Sequence, residues 1–81
     1  MKVDVRLFAT LRERVGEPLI SLEIPEPATV TDLMSEMSRR YPVVQRYEKN
    51  ILISVNQEYA SLTQSISSND EIAIFPPVSG G

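Results

Sequence analysis

The chain has 81 residues, of which 42% are hydrophobic and 23% charged, with a formal net charge of −3. This is ordinary globular composition and enough chain for one domain with a modest core. Cysteine and histidine are both absent, which excludes thiol nucleophiles, disulfides and thiolate metal sites and removes the side chain that titrates nearest neutrality.

Residues Lys2 to Phe8 alternate, with Val3, Val5 and Leu7 on one side and Asp4 and Arg6 on the other. That period of two predicts a strand with one buried face. Ala9 to Val15 suits one or two helical turns ended by Gly16, and Pro18 forbids continuation. Ile20, Leu22 and Ile24 alternate with Ser21 and Glu23, predicting a second strand antiparallel to the first. Pro25 and Pro27 end it. Thr29 with Asp32 forms a capping-box pattern. Val30, Leu33, Met34, Met37 and Tyr41 then share one helical face, read as core and not as a cofactor box. Pro42 stops the helix. Glu36 and Arg40 are spaced for a solvent ion pair, and Arg39-Arg40 suits the negative end of the helix dipole.

Ile51 to Val55 predicts a third strand, Asn56-Gln57 a tight turn, and Glu58 to Ala60 a short return strand. Leu62 and Ile66 are the expected anchors of the polar run from Ser61 to Ser68. Ser67 to Asp70 forms a turn cluster, and Glu71 to Phe75 the last strand, with Ile72 and Ile74 on one face and Ala73 and Phe75 on the other. The expectation is an α+β domain: a mixed sheet of about four or five strands, one main helix and a flexible C-terminal tail. The order matches a ubiquitin-like β-grasp, in which the first and last strands pair in parallel at the sheet centre. Other α+β orders are compatible with the same pattern. The domain is placed at residues 1–75 and an extended tail at 76–81.

The tail is the candidate chemical device. Only three glycines occur and two are Gly80 and Gly81; two chosen positions are both glycine by chance roughly 0.5% of the time. Pro76 and Pro77 stiffen its base, six residues extend roughly 20 Å, and glycine slims the tip. A carboxylate becomes reactive once adenylated. Sulfide equivalents then displace AMP to leave a thiocarboxylate, whereas an amine gives an amide. Without cysteine, sulfur cannot be carried as a persulfide and would sit on the Gly81 carbonyl. A frayed terminus of small residues is the plain alternative.

Leu7-Phe8-Ala9, Leu11-Arg12-Glu13, Gly16, Ala28-Thr29-Val30, Leu33, Val55-Asn56 and the run from Asp70 to Gly81 carry a resemblance over the whole chain. Phe75-Pro76-Pro77-Val78-Ser79-Gly80-Gly81 is its most specific part. The sequence resembles the small, sulfur-carrying subunits of molybdopterin synthase. The family's Asp-Gly-Asp-Glu turn is replaced by Ser68-Asn69-Asp70-Glu71, and Asn69 tolerates left-handed geometry.

The resemblance implies a cycle. A ubiquitin-activating-type adenylyltransferase uses ATP and magnesium to adenylate Gly81, a sulfur donor protein converts it to the thiocarboxylate, and the tail enters the large synthase subunit. There cyclic pyranopterin monophosphate receives sulfur toward the molybdopterin dithiolene. The assembly implied is a heterotetramer with its catalytic residues on the large subunit, so that this chain is the non-catalytic carrier. Phe75, Pro76, Pro77, Val78, Ser79 and Gly80 form the partner-binding tail, with Phe8 and Arg12 as further docking candidates. No metal or cofactor is expected on the chain itself. Related readings keep the tail and change the recipient: thiamine-thiazole synthesis, tRNA thiolation or conjugation to lysines.

The remaining candidates are weaker. Phe8 and Phe75 equally suit ordinary core positions. Asp70-Glu71 suits solvation better than paired-carboxylate catalysis. Arg12-Glu13-Arg14 is a solvated run or a docking patch. The acidic balance disfavours nucleic acid and membrane surfaces. No apolar run spans a bilayer, the charged start lacks a signal-peptide core, and a cytoplasmic protein is expected.

Overall fold

The alternation at the start of the chain becomes β1 (Lys2–Leu7), with Val3, Val5 and Leu7 buried and their neighbours exposed. In the computed structural model, which describes residues 1–47 and 50–76, seven strands and two α-helices follow in the order β1, α1, β2, β3, α2, β4, β5, β6, β7. Helix α1 (Ala9–Val15) ends at Gly16, whose φ of 97° is left-handed and whose N–H donates to the Arg12 carbonyl at 2.8 Å. A glycine stops this helix because the position has no room in φ for a side chain. β2 (Leu19–Glu23) returns antiparallel, pairing Val5 with Ile20 and Arg6 with Leu19.

Helix α2 (Val30–Arg40) starts on the expected capping box. The Thr29 N–H donates to Asp32 Oδ2 at 2.8 Å, and the Asp32 N–H reaches Thr29 Oγ1 at 3.4 Å. Val30, Leu33, Met34 and Met37 are buried against the sheet. Burial of such side chains stabilises by ~1.5–3 kcal/mol each. Tyr41 is not on the helix proper: it is the C-cap, half-buried at the core edge. The Glu36 partner is Arg39, which donates Nε at 3.0 Å to Oε1 and Nη2 to Oε2, and not the expected Arg40. Both spacings bring side chains together on a helix, and the guanidinium fork favours the neighbour that it can grip with two bonds.

The expectation after Pro42 was only a helix stop. The structure has a 3₁₀ segment, Pro42–Tyr47, that buries Val44. Two further two-residue strands, β3 (Ala28–Thr29) and β6 (Ser65–Ile66), pair antiparallel in a separate sheet that the pattern did not announce. Strands this short carry no period. Ile66 is buried as expected, but Leu62 is 58% exposed. Its backbone is the anchor instead: the Leu62 carbonyl accepts the Thr31 N–H at 2.9 Å and the Thr31 hydroxyl at 2.8 Å.

β4 (Leu52–Val55) turns into β5 (Glu58–Tyr59) through Asn56 and Gln57, both with positive φ, 54° and 70°. Two such residues make the two-residue turn whose twist matches a hairpin. β7 (Ile72–Phe75) then enters the sheet centre, parallel to β1 and antiparallel to β4. The sheet order β2-β1-β7-β4-β5 is that of the ubiquitin-like β-grasp. Asn69 does not use a left-handed conformation: among the described non-glycine residues only Ala9, Asn56 and Gln57 have positive φ. The turn is held by the Asp70 side chain and by the Asp70 N–H, which donates to the Ser67 carbonyl at 3.1 Å.

Candidate functional site

One face of the five-stranded sheet is covered by α2 and the other is open. Strand alternation decides which side chains stand on the open face. With Val3, Val5 and Leu7 inward, Asp4 and Arg6 point outward, and their register partners Ser21, Leu19 and Ala73 share that side. On the far half of the sheet, Leu52 faces Phe75 and Ser54 faces Ala73 and Tyr59.

The open face has two chemically different ends. The parallel register Val5 with Ile72, Arg6 with Ala73 and Leu7 with Ile74 brings Phe8 beside Phe75 one step further on. Their rings stack, with centroids 4.7 Å apart and planes 12° from parallel. Phe8 is 37% exposed and Phe75 half-buried, so neither is a core aromatic. Leu19 and Leu52, 46% and 43% exposed, stand near this stack, and Tyr59, 75% exposed, flanks the middle of the face. Singly exposed apolar residues are unremarkable, but several around one point mark a contact surface. That point is the end of β7, where the chain passes to Pro76 and the tail.

The opposite end is polar. Ser21 donates its hydroxyl to Asp4 at 2.6 Å. Asn56 Nδ2 donates to Asp70 at 3.0 Å, the Glu71 N–H donates to Asn56 Oδ1 at 2.9 Å, and the Ser67 N–H donates to Asp70 at 2.8 Å. The Asn56 and Ser67 bonds hold the Asp70 carboxyl below the usual aspartate range. Hydrogen bonds to the charged form explain that direction. Asp70 is therefore a clasp between the β4–β5 turn and the approach to β7, not half of a carboxylate pair. Between the two ends lies a depression of about 770 Å³ lined by Arg6, Ser54 and Ala73.

Arg12 is exposed on α1, directly after the Phe8 corner. Pro76 is half-buried at the strand end. Pro77, Val78, Ser79, Gly80 and Gly81 lie outside the described residues, and with them most of the predicted tail. Among the described residues, no group of three or more acidic side chains is placed to hold a metal ion, and no helix is long and apolar enough to cross a membrane. Leu19, Leu52 and Tyr59 were missing from the sequence-based candidates. Leu19 was findable: it lies out of phase with Ile20, Leu22 and Ile24, among polar residues.

Comparison with known proteins agrees with this architecture. Residues 5–81 match the ThiS family. A molybdopterin synthase sulfur carrier subunit of Dictyostelium discoideum is 41% identical over 95% of this chain and 93% of its own length. One from Arabidopsis thaliana is 31% identical over all of this chain and 84% of its own. The crystal structure of SAMP1, a small archaeal modifier protein of Haloferax volcanii, superposes with a TM-score of 0.88 at 30% identity, covering both chains completely. The match over residues 5–81, together with these full-length relatives, shows that the chain belongs to the ThiS family, alongside the sulfur carrier subunits of molybdopterin synthase.

Proposed function

We propose that this chain is the sulfur carrier subunit of a molybdopterin synthase and that its reactive group is the Gly81 carboxylate. The observation that carries the reading is the extent of the family match, which continues through residue 81 and so includes the Gly-Gly motif. The carriers from Dictyostelium and Arabidopsis supply the recipient. The absence of cysteine and histidine fits a carrier whose partners do the catalysis.

The cycle is written on the terminal carbonyl. A Gly81 carboxylate oxygen attacks the α-phosphorus of ATP and pyrophosphate leaves, with magnesium and ATP held by the activating enzyme. A sulfide equivalent from the donor protein adds to the acyl carbon and AMP leaves, giving the thiocarboxylate. In the large synthase subunit the sulfur passes to cyclic pyranopterin monophosphate, and water restores the carboxylate. The apolar end of the open face docks each partner in turn, in the cytoplasm. Intact mass spectrometry after incubation with activating enzyme, ATP and sulfur donor tests this. The expected product is heavier by the exchange of one oxygen for sulfur, located at Gly81; an unchanged mass refutes the reading.

The likeness to an archaeal modifier protein favours one second reading, in which activated Gly81 is passed to lysine amines. Lysine-linked peptides bearing the whole segment 50–81, which trypsin leaves uncut because no Lys or Arg follows Lys49, would identify that outcome. Reconstitution with a thiazole-forming or tRNA-thiolating system, set against the large synthase subunit, distinguishes the other carriers.

A further inference from the structure

The Phe8–Phe75 stack stands where the backbone ladder between β1 and β7 stops. The parallel register ends at Leu7 with Ile74, because Phe8 leaves the strand to become the N-cap of α1. Phe75 keeps β4 on one side, through Leu52, and has lost β1 on the other. The ring contact, centroids 4.7 Å apart, replaces the missing strand neighbour at the last residue of the sheet. Phe8 is itself fixed, since its carbonyl accepts the N–H groups of Leu11 and Arg12 at 3.1 and 3.3 Å. One end of the stack is thus built into a helix start and the other into the root of the tail.

We propose that Phe8 is a positioning residue: its stack on Phe75 sets the direction in which the chain passes from β7 into Pro76 before a partner is met. This rests on the carrier reading for its consequence, though not for its geometry. Phe75 is the last residue of the sheet and Pro76 follows it directly, so the stack fixes the point from which the chain departs. A misplacement of ~1 Å at a reacting group can already cost ~100-fold in rate. Holding the root in advance raises the fraction of docked complexes in which the tail is inserted, which is preorganisation and not extra contact area.

Docking and positioning leave different kinetic traces. A lost docking contact raises KM for the carrier. A lost aim leaves the body docked with the tail outside, so kcat falls at similar KM. The experiment compares Phe8→Leu, which keeps an apolar side chain but cannot stack, with Phe8→Tyr, which can. In the free full-length protein, NMR measures the backbone order of Phe75 against Ala73, together with the ring-current shift of the Phe75 protons. With the activating enzyme and ATP, kcat and KM for adenylation are measured on the same variants.

Phe8→Leu is expected to lose the ring-current shift and lower the order at Phe75 but not at Ala73. It should also reduce kcat about two- to tenfold, the scale of one aromatic pair, and by more than any rise in KM that the loss of Phe8 from the docking face brings. Phe8→Tyr should recover all three readouts. Unchanged order at Phe75 in Phe8→Leu, or a rise in KM at constant kcat, overturns the proposal. If wild-type protein is not adenylated at all, the carrier reading fails, and the order at Phe75 alone decides whether the stack fixes the strand end.

Discussion

The two faces of the central sheet are built from the same strands, and the residues that alternate between them have opposite duties. The covered face presents Val3, Val5, Leu7, Ile20, Leu22, Ile53, Val55, Ile72 and Ile74, all buried. The open face presents Phe8, Leu19, Leu52 and Tyr59, all exposed, with Phe75 half-buried among them. Apolar side chains on the first face hold the fold; on the second they are exposed and contribute little to it. Hydrophobicity alone therefore does not separate core from open surface here, while strand phase does.

The widest separation between the faces should come from truncating the core. Leu33→Ala, at a fully buried position on α2, is expected to cost about 2–5 kcal/mol, read as a lower urea midpoint with unchanged m-value. In a domain whose total stability is on the order of 5 kcal/mol, a loss at the upper end of that range leaves a substantial unfolded population at room temperature.

The polar clasp comes next. Asn56→Ala removes the bonds to Asp70 and Glu71 and, at a φ of 54°, replaces a residue type that tolerates left-handed backbone with one that does not, with an expected loss of about 1–3 kcal/mol by the same assay. Asp70 supplies a pH signature. Its pKa is lowered in the folded state, so its contribution is complete above the ordinary aspartate range and is lost as pH falls through the folded value. The stability gap between wild type and Asp70→Ala should narrow on acidification. A gap that is constant with pH would show that the carboxylate charge plays no part in the clasp.

Leu52→Asp, on the open face, should change stability by no more than ~0.5 kcal/mol while weakening partner binding about tenfold or more, measured by calorimetry with the activating enzyme. Equal losses in both assays would dissolve the distinction between the faces. Smallest of all, Glu36→Gln should leave the thermal midpoint unchanged within error, because its ion pair with Arg39 is on the surface.

Much of the covered face could be read in advance, since Val3-Val5-Leu7 and the Val30–Met37 stripe carry clean periods of 2 and 3.6. The Gly16 stop, the Thr29–Asp32 box and the Asn56-Gln57 turn were legible because each needs a particular residue chemistry. The two-residue strands β3 and β6 were not, because a period needs repetition and no turn signal marks them as Asn56-Gln57 marks β5. The Glu36 partner was missed because two spacings compete on one helix and only side-chain geometry chooses. On the open face, Phe8 and Phe75 were visible as aromatics, but their contact depends on a register between the two ends of the chain. Asp70 looked like surface charge because its clasp partner Asn56 belongs to a distant turn.

The parallel pairing of β1 with β7 also acts as a form of inspection. β7 is the strand from which the tail departs, and it sits between β1 and β4, in the middle of the sheet. A copy of the chain that lost β7 through truncation or proteolysis would lose the neighbour of two strands at once, and with it the body that partners grip. A folded body thus certifies that the strand leading into Pro76 is present; under the carrier reading proposed above, copies without it would fail at docking.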